Sequence, residues 1–187
     1  MINNLIGKWG IEFGVKPLTP SFLWTRNLPA GGYIGHSYKA KIGLKSKDLR
    51  SGMVTDFKHL NFVKSLIDEF LDHKFMIDRN DPLFDTIFPE FGDIARFANS
   101  AIQDYDGFFK FVDGTKLSGY DATLREHIES FVIVDFVPTS ENICRFLHQI
   151  ISHKMQDFLM ENDIALEFVE LWETPKSHCV YRPAVGV

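Results

Sequence analysis

The chain has 187 residues, and 20 Lys plus Arg against 25 Asp plus Glu leave a net charge of -5, which argues against a nucleic-acid partner. No apolar run approaches the roughly 20 residues that a membrane-spanning helix needs, so no membrane partner is expected. Hydrophobic residues at 45% and charged residues at 24% describe a chain that can bury a core without staples, which excludes wholesale disorder. Cys144 and Cys179 are too few for a disulfide framework or a four-cysteine zinc site. With no basic-then-apolar leader, the cysteine usage predicts a cytoplasmic protein. Phenylalanine is the outlier: 18 residues exceed what one core of this size needs, and some are expected to pack between subunits.

In chain order, Trp9, Ile11, Phe13 and Val15 alternate with polar neighbours and predict a strand over residues 8–16. Prolines 17, 20 and 29 with Gly31-Gly32 mark a loop. Tyr38, Ala40, Ile42 and Leu44 alternate with Lys39, Lys41 and Lys45, the pattern of a half-buried antiparallel strand. The period then changes to three-to-four spacing. Phe57, Leu60, Val63, Leu66, Ile67 and Phe70 predict an amphipathic helix over 55–73 with Asp56 as its cap. The next stretch predicts a short helix at 93–103, then a strand end or hairpin at 108–112 turning at Asp113-Gly114.

Phe131 to Phe136 predicts another strand. After Pro138, Ile143, Phe146, Leu147, Ile150 and Ile151 form the buried stripe of a second helix capped by Thr139 or Ser140. Strands at 164–172 and 179–182 close the chain. The order predicts an α+β fold, an antiparallel sheet with two main helices on one face. It also predicts a single domain, residues 1–187, with an ordered insertion at about 76–130.

Five phrases resemble the 6-pyruvoyl-tetrahydropterin synthase and 6-carboxy-tetrahydropterin synthase family. Gly35-His36-Ser37-Tyr38 is similar to the end of its His-Gly-His-Asn/Ser-Tyr signature. Gly52-Met53-Val54-Thr55-Asp56-Phe57 and Leu71-Asp72-His73 resemble the start and end of its first helix. Pro138-Thr139-Ser140-Glu141-Asn142 matches the start of its second helix, and Glu173-Thr174-Pro175 with Tyr181-Arg182 resembles its closing segment. The resemblance implies the tunnelling fold, in which α+β subunits close into an oligomeric barrel with pterin sites at subunit interfaces. A homo-oligomer with a small pterin-like ligand is the implied assembly.

The resemblance implies that Glu173 anchors a pterin, since a carboxylate can accept parallel bonds from the ring N–H and the exocyclic amine. The alternative is a solvated Glu at a strand end. Asp72 and His73 resemble the pair that moves protons with a catalytic cysteine. A His closing a helix, where its cation suits the dipole, is the plain alternative. Thr139 is a cap to which the resemblance adds a pterin contact. His36 is a remnant zinc ligand, a donor to the ligand, or a strand residue without function.

The departures bear on activity. The family binds zinc through three histidines, but Ile34 replaces the first of the His-x-His pair and no histidine precedes His36. A catalytic zinc needs three protein ligands, so no metal or other cofactor is expected. The family's cysteine before that pair is absent too. His148 and His153 do not share a helix face as i, i+4 ligands would. His178 and Cys179 alternate across a strand, a poor joint metal site.

The expected function is binding of a pterin or related purine-like ring. Any activity would be that of a divergent lyase of the tetrahydropterin synthase type without zinc, or a metal-free chemistry like that of pterin aldolases. The alternative is a non-catalytic ligand-binding or assembly paralogue.

Overall fold

The computed structural model describes residues 5–18, 36–49 and 51–184. In chain order the elements are β1 (Leu5–Leu18), β2 (His36–Ser46), α1 (Asn61–Phe70), β3 (Lys74–Asp78), α2 (Phe84–Ile87) and α3 (Glu90–Phe97). β4 (Ile102–Tyr105), β5 (Phe109–Val112), α4 (Ala122–Glu129) and β6 (Phe131–Val134) follow. α5 (Ser140–Lys154), α6 (Gln156–Glu161), β7 (Ile164–Thr174) and β8 (Ser177–Tyr181) complete the chain. The class is α+β, as the alternation of periods predicts. No helix of the described residues is long and apolar enough to cross a membrane.

The chain folds as two compact units. Of the described residues, 5–13, 37–49, 51–69 and 140–184 form the first, and 14–18, 36 and 70–139 form the second.

In the first unit β2 pairs antiparallel with β7, and β7 with β8. The inward set predicted for β2 is observed: Tyr38, Ala40, Ile42 and Leu44 are all at most 2% exposed. α5 packs on β7 and β8 through Ile143, Phe146, Leu147, Ile150 and Ile151, its predicted stripe. The first predicted helix opens as a 3-10 turn at Phe57–Leu60, where Asp56 Oδ1 accepts from the Lys58 N–H at 2.9 Å. α1 then buries Val63, Leu66 and Ile67 and stops at Phe70. His73 follows at φ 58°, the left-handed region in which a helix commonly ends, and Lys74 N–H returns to Leu71 O at 3.2 Å.

The second unit holds the segment read as an insertion. It includes a sheet in which the antiparallel pattern is incomplete. β4–β5 and β5–β6 are antiparallel, whereas β3 runs parallel to both β6 and the end of β1. Its core is aromatic. Phe88 stacks on Phe131 with centroids 4.3 Å apart, and Phe84 meets Phe91 edge-on at 5.2 Å. Phe84, Phe88 and Phe131 are each at most 1% exposed.

The segment after Phe75 differs in detail from the sequence reading. Its helix at 93–103 is α3 followed by a 3-10 turn at Asn99–Ala101. The hairpin turns at Asp106-Gly107, both at positive φ (52° and 75°), and not at Asp113-Gly114. Asp113 instead caps a 3-10 turn, its Oδ1 accepting from Thr115 N–H at 3.1 Å. The Gly114 N–H is satisfied by Glu129 Oε1 at 2.9 Å. Two Asp-Gly pairs lie seven residues apart, and local chemistry does not distinguish which one strands will flank.

Candidate functional site

A cleft of about 480 Å³ opens in the first unit, lined by Tyr38, Lys41, Trp172, Glu173 and Pro175 among others. The sheet register builds it. Lys39 pairs with Trp172 and Ala40 with Leu171, which carries the strand ends bearing Tyr38 and Glu173 to the same edge.

Glu173 is half-buried, and its Oε2 accepts a hydrogen bond from the Ser140 hydroxyl at 3.0 Å, across 33 residues of chain. Tyr38 is 2% exposed and hydrogen-bonds Ser140 in turn. Burial raises the Tyr38 phenol from 10.0 to about 12, against the lowering effect of that bond. The charges of Glu173, Cys179 and Glu141 raise it further. Tyr38 is therefore neutral at any physiological pH.

The aromatic wall of the cleft is Trp172. Its ring stacks on His178 at 4.2 Å with a 13° interplanar angle, and Lys41 Nζ lies 4.6 Å from its centroid. Glu170 accepts from both the Trp172 indole N–H and Lys41, the latter at 3.4 Å. A flat ring could extend such an aromatic surface, as offset stacking favours.

Both cysteines belong to the first unit. The Cys144 thiol donates to Val169 O at 3.0 Å, and the Cys179 thiol donates to Ser140 O at 3.1 Å. Cys144 is pushed up by its hydrogen bond to Cys179 and by burial, so it is an inert thiol. That same bond holds Cys179 below the usual thiol value.

The other sequence candidates are distributed differently. Asp72 and His73 are together, His73 Nε2 lying 3.7 Å from Asp72 Oδ2, and the His73 side chain is 88% exposed. Both belong to the second unit, whereas Glu173 belongs to the first. Thr139 directly precedes α5, half-buried, its N–H bonded to Val137 O at 2.8 Å. The His36 side chain, and residues 19–35 where the family's other zinc ligands would stand, lie outside the described residues.

Tyr38 and Ser140 are site residues that the sequence reading did not single out. Each stood inside a quoted phrase, Gly-His-Ser-Tyr and Pro-Thr-Ser-Glu-Asn, and that was the available signal.

Among the described residues no three His, Cys, Asp or Glu side chains are arranged to hold a metal ion. The described histidines have other engagements. His59 Nδ1 is 2.9 Å from the Thr55 hydroxyl, and His148 Nε2 is 3.3 Å from Leu166 O.

Comparison with known proteins agrees with the fold. A 6-carboxy-5,6,7,8-tetrahydropterin synthase of Aquifex aeolicus is 29% identical over 150 residues, covering 79% of this chain and 72% of that protein. The enzyme of the same name from Haemophilus influenzae is 26% identical over 154 residues, covering 79% and 80%. Among solved structures, an uncharacterized protein from Wolinella succinogenes superposes with a TM-score of 0.73 at 36% identity, covering 96% of this chain and 99% of that one. The 6-pyruvoyl tetrahydropterin synthase of Plasmodium vivax shares the fold at a TM-score of 0.54 and 14% identity, with 97% and 99% covered. Residues 22–184 match the family of 6-pyruvoyl tetrahydropterin synthase, and the chain belongs to that family.

Proposed function

We propose that the cleft beside Glu173 binds a pterin, or a related purine-like ring, through the carboxylate of Glu173. The observation that carries the reading is the Glu173 carboxylate, held by Ser140 at 3.0 Å at the edge of a cleft walled by Trp172. A pterin offers a ring N–H beside an exocyclic amine, two parallel donors that a carboxylate can accept together. Each carboxylate oxygen has two acceptor sites, so the Ser140 bond leaves capacity for the ligand. The Trp172 face supplies apolar contact for the ring.

The chain acts, on this reading, without the family's zinc. Its histidines do not reproduce the three-ligand set, and Ile34 stands where one of them belongs. Chemistry would then rest on proton transfer by the Asp72–His73 pair, the exposed imidazole carrying the proton and the carboxylate orienting it. A lyase of the tetrahydropterin synthase type is the corresponding activity, in a cytoplasmic homo-oligomer. The second reading is a binding or assembly protein without turnover, favoured by the absence of the family's cysteine position.

Fluorescence titration with 7,8-dihydroneopterin tests the pocket. Wild type is expected to bind and Glu173→Gln to weaken binding by about tenfold or more, the cost of a lost charged hydrogen-bond acceptor. Equal binding by the two proteins would refute the assignment. Turnover of dihydroneopterin triphosphate that disappears in His73→Ala selects the enzyme, and binding without turnover selects the second reading.

A further inference from the structure

The parallel strands β3 and β6 end side by side in the second unit. Ile77 pairs with Ile133 and Asp78 with Val134, and the Arg79 N–H carries the ladder one step further, to Val134 O at 2.7 Å. Arg79 and Asp135, a cation and an anion, are the first residues beyond the two carboxyl ends. They lie two positions past Ile77 and Ile133, the step that returns a strand to the same face. That edge of parallel strands is where open sheets place their ligands. The adjoining hairpin adds a second pair of opposite charges, since Lys110 on β5 is in register with Asp104 on β4 and with Ile133 on β6. A cavity of about 230 Å³ opens here, lined by these four charged residues and by Phe91 and Ile133 among others. It lies within the second unit, whereas the cleft beside Glu173 belongs to the first.

The four charges do not neutralise one another. Among the described residues Arg79 has one ion-pair partner, Asp85 at 4.0 Å, and Asp85 is 87% exposed, so that pairing contributes little. The Arg79 guanidinium is held instead over the rings of Phe84 and Phe91, 4.3 and 5.3 Å from their centroids. Asp104 Oδ1 accepts from the Gly107 N–H, which leaves its second oxygen open. The side chains of Lys110 and Asp135 form no ion pair among the described residues. A planar fork backed by aromatic rings, with a second cation on the same cavity, is a receptor for a carboxylate. Two carboxylates on that cavity call for a cation as well. The apolar part of the lining is firm, because Phe91 and Ile133 are buried members of the second core.

We infer that this cavity binds a small zwitterion, an α-amino acid with an aliphatic side chain. Arg79 and Lys110 take its carboxylate, Asp104 and Asp135 take its ammonium, and its side chain lies against Phe91 and Ile133. Size sets one limit: the cavity is smaller than the roughly 300–1,000 Å³ that drug-sized ligands occupy, so both charges must sit on a few atoms. Charge sets the other. A simple anion would be repelled by the two carboxylates, and a simple cation by Arg79 and Lys110. Only a ligand carrying both signs gains from all four residues.

Isothermal titration calorimetry of the full chain with L-valine tests this. Binding is expected with a Kd of about 1 mM or tighter. Glycine, without the apolar contact, should bind about tenfold more weakly. So should 3-methylbutanoate, which is valine without its ammonium, and 2-methylpropylamine, which is valine without its carboxylate, each by about tenfold or more. Lys110→Met and Asp135→Asn change exposed side chains and should each weaken valine binding by about tenfold or more, with unchanged melting temperatures. Glu173→Gln, in the other unit, should leave it unaltered. No binding of valine at about 10 mM would overturn the inference, as would wild-type affinity in both cavity variants. Equal binding of valine and either single-charge analogue would overturn it too, and that comparison needs no variant.

Discussion

Gly43 on β2 lies directly against the ring of Phe168 on β7, so that a Cβ on Gly43 would overlap the aromatic carbons. Gly43 pairs with Phe168 and Leu44 with Leu166, leaving one extra residue on β7 at this point. That bulge sets the register beyond it, and hence the approach of Tyr38 to Glu173. Gly43→Ala is expected to destabilise the protein by about 1–3 kcal/mol, the usual cost of overpacking a filled site. Denaturant unfolding measures this. A variant as stable as wild type would show that the Phe168 ring, flanked by Arg182 at 4.6 Å, can move aside.

Tyr38 makes stability fall in alkali. Its phenol titrates near 12 in the folded chain and near 10.0 when exposed, so between those values the unfolded state alone has lost the proton. Unfolding is then favoured as pH rises, by about 3 kcal/mol in total at the top of the window. Tyr38→Phe should show a flatter decline in unfolding free energy between pH 10 and 12. Parallel curves for the two proteins would contradict the assignment.

His148 acts in the opposite range. Burial lowers its value below 6.5, against a raising bond to Leu166 O, and the ring also meets Ser152 and the edge of Tyr181. The unfolded chain takes up a proton first as pH falls through 6.5, so this residue removes stability on acidification. His148→Gln should lose less stability than wild type between pH 7 and 5. An identical acid dependence in thermal melts would exclude His148 as the source.

Phe88 is fully buried and stacked on Phe131 in the second unit. Phe88→Ala should cost about 3–5 kcal/mol, from lost transfer energy and an unfilled cavity. Hydrogen exchange should accelerate most in β3, β5 and β6. Uniform acceleration across β7 and β8 as well would mean that the two units unfold together.

Zinc removal is the direct test of the metal-free reading. Protein treated with a strong chelator and then dialysed is expected to keep its melting temperature and its affinity for pterin. Stoichiometric zinc in the untreated protein, with binding lost on chelation, would overturn that reading.

Much of the architecture was legible from periodicity. β2, α5 and β7 bury the residues their alternation or helical spacing predicts, because each packs one face on a core and leaves the other to solvent. The second unit was harder to read. α4 and the true hairpin at Asp106-Gly107 carry weak local signals, and the parallel pairing of β3 with β6 joins residues more than 50 positions apart. The surplus of phenylalanine was visible as a number, but its destination in a second core depended on that long-range pairing.

The candidate site divides in the same way. Glu173 could be named from its short phrase, because a motif is a local pattern and survives without coordinates. Its contact with Ser140 could not, since a hydrogen bond between side chains 33 residues apart has no trace in local order. Sequence alone supplied the family, the element types and the candidate carboxylate Glu173. Tertiary pairing of β2 with β7, and the packing of α5 on β7 and β8, decided which neighbours that carboxylate has. The physical reason is range: side-chain periodicity is written residue by residue, while contacts across a sheet exist only once the strands have met.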